Sequence, residues 1–449
     1  MVVKRPEKKE TLAIKREKKI RSRFHLRKRF SDFAPSRWVE TGEGLGLIAL
    51  FVLNFILLLP FFGYEDRINR FSSPLIPALA RVTSFLIPFS YGVRVWILVF
   101  IILLPHSLYW MVKIISGRKL TGFLAALIVS LPVGIFLPMR VNLGLLGGDG
   151  AQVASLTFIP VVCIFLLWFL RGGKFWIGVL ASVGVTLVAL TSPLGTTVLL
   201  VFMGVITFSE VLLGWGRLKI LRFLTVMILA IGFSAFWYNP KMAFLILRSP
   251  QGQLIRQTFS NLLPISFFVL PVFGVFGFLL FENRRHLQPM FIAFFLMIGF
   301  GLFSLGAGVA TAVPSRFIPA FGVSVAFFLG NLVVWLMSFL RVSAKLDRFR
   351  IPAWRRQLMA SGLLGLVLII ICLINIFSGN RLRELEKGWV LGLTSDQTVG
   401  IWEIREKMNF FESLIGFGVT GLTFWLVFLL RDNLKRAREE LKQEGKERN

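Results

Sequence analysis

The sequence predicts an all-α, polytopic integral membrane helix bundle of about twelve transmembrane helices. Three observations lead there. The 449 residues are 55% hydrophobic and only 16% charged, whereas soluble domains carry about 25% charged residues. That composition gives a mean hydropathy of +0.74. Apolar runs near the roughly 20 residues needed to cross a bilayer recur along the chain. The basic excess, a net charge of +28, concentrates in the two tails and in short connections, the pattern that sets orientation in a membrane.

In chain order, residues 1–40 form a basic tail with too few apolar residues to bury, so disorder is expected. Residues 41–431 form the transmembrane domain, and 432–449 a second charged tail whose LKRAREELKQ suits a helix with paired charges. The apolar runs lie at about 44–62, 95–115, 120–138, 155–170, 175–191, 196–214, 220–238, 264–281, 288–309, 317–340, 358–378 and 410–430. About forty polar residues precede the first run. That is too long a charged region for a cleaved signal peptide, so the run reads as a retained anchor.

Orientation follows from Lys and Arg. With the N-terminus cytoplasmic, the inner connections hold Arg118 and Lys119, Arg171 and Lys174, Arg217 and Lys219, and Arg284 and Arg285, and both termini are cytoplasmic. The turns at 191–195 and 309–315 carry no basic residue and fall outside. The basic tails are expected to meet anionic lipid headgroups of the plasma membrane. Nucleic acid is not an expected partner, because no soluble domain remains to bind it.

Longer polar connections fall on the outer face. Between Pro74 and Pro88 the segment is too short to cross, and Leu75, Leu79, Val82 and Leu86 recur at helical spacing. An amphipathic helix lying in the interface is expected. Cys163 and Cys372 sit inside apolar runs, and His25, His106 and His286 are scattered. No disulfide framework, zinc spacing, phosphate loop or nucleophile elbow appears.

Chemistry is carried by a few charges. Glu65 and Asp66 follow the first run in GYEDR. They suit a general base or metal ligand at a cavity mouth, or hydrated acids leading into the interfacial helix. Asp149 stands in GGDGAQ, where the only other acid before Glu282 is Glu210. Gly-Gly-Asp-Gly is turn chemistry, and an acid before a helix N-terminus is favoured by the dipole; a substrate or metal contact is the other reading. Arg316, in AVPSRFIPAF, opens a helix, where the dipole opposes a cation. Its planar fork suits a phosphate, although snorkelling to headgroups also fits. Lys241, Arg248 and Arg256 are weaker versions of the same case. Glu210, late in its run, is an intramembrane acid close to the cytoplasmic end.

With this topology the chain resembles the GT-C class of polytopic glycosyltransferases, which use polyprenyl-phosphate-linked sugars. The likeness rests on the acid-bearing first outer loop from GYEDR to PFSYGVR, the dozen runs and the basic residues of later outer loops. GGDGAQVASLTFIPVV, SAFWYNPKM and VPSRFIPAF are similar to stretches in prokaryotic members. The resemblance implies a GT-C-like fold and sugar transfer from a polyprenyl-phosphate donor to an acceptor at the outer face. Glu65 or Asp66 would assist attack by the acceptor hydroxyl. Arg316, with Arg248 or Arg256, would stabilise the departing phosphate, and a divalent ion could join Asp66 to Asp149. The acids are adjacent, whereas the family spaces them. A transporter or lipid flippase, and a non-catalytic membrane assembly partner, are the alternative readings.

Overall fold

The structure is a computed structural model. It describes residues 37–62, 73–146, 149–212, 216–239, 241, 242, 244, 248, 260, 287–304, 314–339 and 409–447. The described secondary structure is helical throughout. In order the helices are α1 (Arg37–Leu58), α2 (Leu75–Val82), α3 (Phe89–Ser116), α4 (Lys119–Val129), α5 (Leu137–Val141) and α6 (Gly150–Gly172). They continue with α7 (Phe175–Thr191), α8 (Pro193–Leu212), α9 (Gly216–Ser234), α10 (Gln288–Ser304), α11 (Ile318–Phe339) and α12 (Phe410–Glu447). The chain divides into Met1–Ala49 and Leu50–Asn449. The described part of the first unit is the opening of α1, with Leu45 and Ile48 exposed. Apart from the crossing segment that begins in α1, everything below concerns the second.

Six described segments are long and apolar enough to cross a membrane: Glu43–Phe61, Phe89–Ser116, Gly150–Gly172, Pro193–Leu212, Ile318–Trp335 and Phe410–Arg431. The runs expected at 264–281 and 358–378 lie outside the described residues. The run expected at 120–138 is not one helix. α4 stops at Val129, Pro132 follows, and Gly134 takes φ +55°, a left-handed conformation that breaks the helix. α7 and α10, at 17 residues each, are shorter apolar helices.

α6 is the central element: most of its residues are buried, whereas few of α12's are. One core cluster joins α3, α4, α6, α7, α8, α10 and α11 through Leu108, Ala125, Leu167, Val185, Phe202, Phe300 and Phe327. A second packs α2, α5 and the start of α3 around Ile76, Ile97 and Val141. Close approach of α3 and α4 requires Gly122, where a Cβ would lie 2.7 Å from the Tyr109 carbonyl oxygen.

α2 forms between the two prolines, as expected, and a 3-10 turn, Thr83–Phe85, extends it. Its core-facing residues are Ile76 and Ala80, however, while Val82 and Leu86 of the expected stripe are 69% and 74% exposed. A helix that buries one side on protein and offers Val82, Phe85 and Leu86 on the other is equipped to sit at an interface.

Arg140, completely buried on α5, explains how this region closes. Pro105 inside α3 has no N–H, so the Ile101 carbonyl loses its helical donor. Arg140 Nη1 donates to that oxygen at 3.5 Å. Nη2 donates to the carbonyl of Val129, the last residue of α4, at 2.5 Å, and Nε to Phe136 at 3.4 Å. A cation at the α4 C-terminus also suits the helix dipole. Arg140 therefore satisfies carbonyls that a proline and a helix end leave open.

Candidate functional site

The sequence before α6 builds an unusual entry. Asn142–Leu146 forms a single π-helical turn after α5, a feature frequent at functional sites. The Asp149 N–H donates to the Leu143 carbonyl at 3.0 Å, and the Asp149 carbonyl then accepts from Gln152 and Val153 at 3.0 and 3.2 Å, starting α6. Gly150 is needed by close approach: a Cβ there would lie 2.2 Å from Ile97 Cδ1 and 2.9 Å from the Gly144 carbonyl oxygen.

Asp149 occupies the N-cap position of α6, yet its side chain makes no cap hydrogen bond. Its carboxylate instead faces Arg316, with Oδ2 2.9 Å from Nε. Arg316 lies on the 3-10 turn Pro314–Phe317 that leads into α11. The two side chains are only 14% and 15% exposed. Burial raises the Asp149 carboxyl above its ordinary value, and the Arg316 guanidinium partly opposes that rise.

One helical turn along, Gln152 Nε2 donates to the Arg316 carbonyl at 2.6 Å. Gln152 is 3% exposed, and its Oε1 meets no donor. The starts of α6 and of the segment leading into α11 thus converge. Arg316, set against the helix dipole, has Asp149 as counter-charge. Among the described residues no acceptor meets the two terminal nitrogens of its guanidinium.

The other site residues divide clearly. Glu65, Asp66 and Arg256 lie outside the described residues, as does the expected shared cavity of Glu65, Asp66 and Asp149. Lys241 pairs with Glu412 of α12. The Arg248 guanidinium stacks over the Phe244 ring at 4.1 Å from its centre. Asp149 and Arg316 are the two that come together.

As arranged, Asp149 does not fit a divalent ion. Carboxylate–metal bonds of about 2–2.6 Å would place the ion against a guanidinium, and among the described residues no group of three His, Cys, Asp or Glu gathers. Gln152 was missed by sequence reasoning. The available signal was a polar amide one helical turn after Asp149, on the same helix face.

A second polar cluster closes the opposite end of α6. Glu210 of α8, 3% exposed, receives Arg171 Nε at 2.9 Å, Lys219 Nζ at 3.0 Å and Gln288 Nε2 at 2.9 Å. These ties join the ends of α6, α8, α9 and α10, and every carboxylate oxygen is matched. Glu210 is thereby accounted for as a fastening between helices.

No protein-family model matches the chain, and no curated protein matches it.

Proposed function

We propose that the chain is a GT-C-like membrane glycosyltransferase that binds a polyprenyl-phosphate-linked sugar where Asp149, Gln152 and Arg316 meet. In this reading the bundle has about twelve spans, both termini are cytoplasmic, and this end of α6 faces outward across the plasma membrane. The observation that carries the proposal is Arg316. Its Nε side faces the largely buried Asp149 carboxylate, while among the described residues no acceptor meets its pair of terminal nitrogens. Two parallel N–H donors match phosphate oxygens, and backbone N–H groups at the start of α6 favour negative charge.

The chemistry would run as an inverting transfer. An acceptor hydroxyl oxygen attacks the anomeric carbon, and the carbon–oxygen bond to phosphate breaks. The lipid phosphate leaves with the electron pair, steadied by Arg316. The hydroxyl proton passes to Asp66 or Glu65 as general base. Lys241 and Arg248 take no part in this step, being engaged with Glu412 and Phe244.

The test is polyprenyl-phosphate binding to purified wild type, Arg316→Lys and Arg316→Ala, followed by sugar transfer. Alanine should weaken binding roughly ten- to a hundred-fold, the scale of a charged hydrogen bond. Lysine should restore only part, lacking the fork. Equal binding by all three would remove the phosphate role. Movement of the lipid across the bilayer without sugar transfer would place the chain among transporters.

A further inference from the structure

The amide of Gln152 is engaged on one side only. Nε2 is fixed by the Arg316 carbonyl, whereas Oε1 is an open acceptor on a residue that is 3% exposed. An acceptor buried without a donor is costly, and a ligand that supplies the donor recovers that cost on binding. Neither partner supplies it in the structure: the Arg316 guanidinium engages the Asp149 carboxylate through Nε, and no donor reaches Oε1. An ionised phosphate presents only acceptors. Beside an arginine suited to phosphate, then, stands an oxygen that a bare phosphate cannot use and a neighbouring hydroxyl can.

We propose that Gln152 distinguishes a glycosylated phosphate from a bare one, its Oε1 accepting a hydrogen bond from a sugar hydroxyl while Arg316 holds the phosphate. The inference rests on the phosphate reading of Arg316 but does not require that transfer occurs. Sites built to bond a hydroxyl reject analogues lacking it, because their buried polar group is left unpaired. Gln152 thus favours the loaded carrier over the spent one, which assists product release.

The test measures binding to the full chain in lipid nanodiscs at pH 8, where a lipid phosphate monoester is largely dianionic. Probes are polyprenyl-phosphoryl hexose, bare polyprenyl phosphate, soluble hexose 1-phosphate and a series of singly deoxygenated polyprenyl-phosphoryl hexoses. In wild type, one deoxygenated sugar should bind about tenfold more weakly than the parent. In Gln152→Leu that difference should vanish, and the ratio of loaded to bare carrier should fall by a similar factor. Equal loss of both carriers in Gln152→Leu would overturn the inference, leaving Gln152 as a clamp on Arg316. So would a wild type indifferent to every deoxygenation, a result obtainable even if the variant fails to fold. Hexose 1-phosphate binding as tightly as the lipid form, with the same Gln152 dependence, would support the hydroxyl contact and show the lipid to be dispensable. Failure of both carriers to bind wild type would defeat the phosphate reading itself. Binding of both without hydroxyl discrimination would defeat only the Gln152 assignment.

Discussion

Asp149 is under two opposed influences, burial that favours its proton and Arg316 that favours its charge, and burial is the larger. A carboxyl with raised proton affinity in the fold contributes stability that is full below its ordinary value of 3.8 and is lost as pH rises through the raised value. Melting of wild type in detergent should therefore move downward as pH is taken from about 4 toward neutrality, relative to Asp149→Asn, which has no such proton to lose. Parallel curves for the two proteins would contradict this. The rarity of Asp149 and the odd placement of Arg316 were both visible in the sequence, and each was read alone. Their pairing was not visible, because the two residues lie far apart in the chain and only the fold brings the start of α6 to the turn entering α11. Gln152 drew no notice for the same reason: an amide near a helix start is ordinary until its one free oxygen is seen to be buried.

Helices meet through specific polar ties at their ends and through apolar surface between them. Glu210 shows how much one tie can carry. Replacing it with alanine leaves Arg171 and Lys219 near one another without their shared counter-charge. Breaking a buried pair costs about 3–5 kcal/mol, and the low end of about 3 kcal/mol is expected because Arg171 reaches water. Glu210→Gln should lose less, since one amide oxygen still accepts. Denaturant or thermal unfolding in detergent checks both variants, and unchanged stability in Glu210→Ala would show the tie to be idle. Element type was legible from apolar run length, and α3, α6, α8 and α11 fall close to their expected bounds. The break after α4 was less legible: run length alone ignored what Pro132 and Gly134 do to the backbone. For α2, helical spacing found the helix and its apolar stripe, but not that Ile76 and Ala80 face the protein, because both sides are apolar.

Along α6 the described polar clusters lie at its two ends, with buried apolar residues between them. Ser84 adjoins the start of α3 and Arg118 follows its end, both exposed. At 1.5 Å per residue, the 28 residues of α3 extend roughly 42 Å. Cysteines substituted at Ser84 and Arg118 should therefore label from opposite sides of the membrane, and labelling from one side would reject a crossing α3. Basic-residue counting predicted the same separation, since it depends only on which connections are short and charged. The positions of Glu65, Asp66 and Arg256 depend instead on long polar connections, for which periodicity and run length offer no geometric rule.

α6 is pinned at both ends, by Asp149 and Gln152 against the segment entering α11 and by Arg171 against Glu210. Its 23 residues hold these fastenings roughly 34 Å apart. A lone helix in a thin bilayer leans over until its length fits. α6 would have to break a fastening to do so. The adjustment therefore falls on the surrounding lipid, whose acyl chains must stretch or compress to meet a fixed ruler, and membrane thickness becomes a selective property of the environment in which this bundle can rest unstrained.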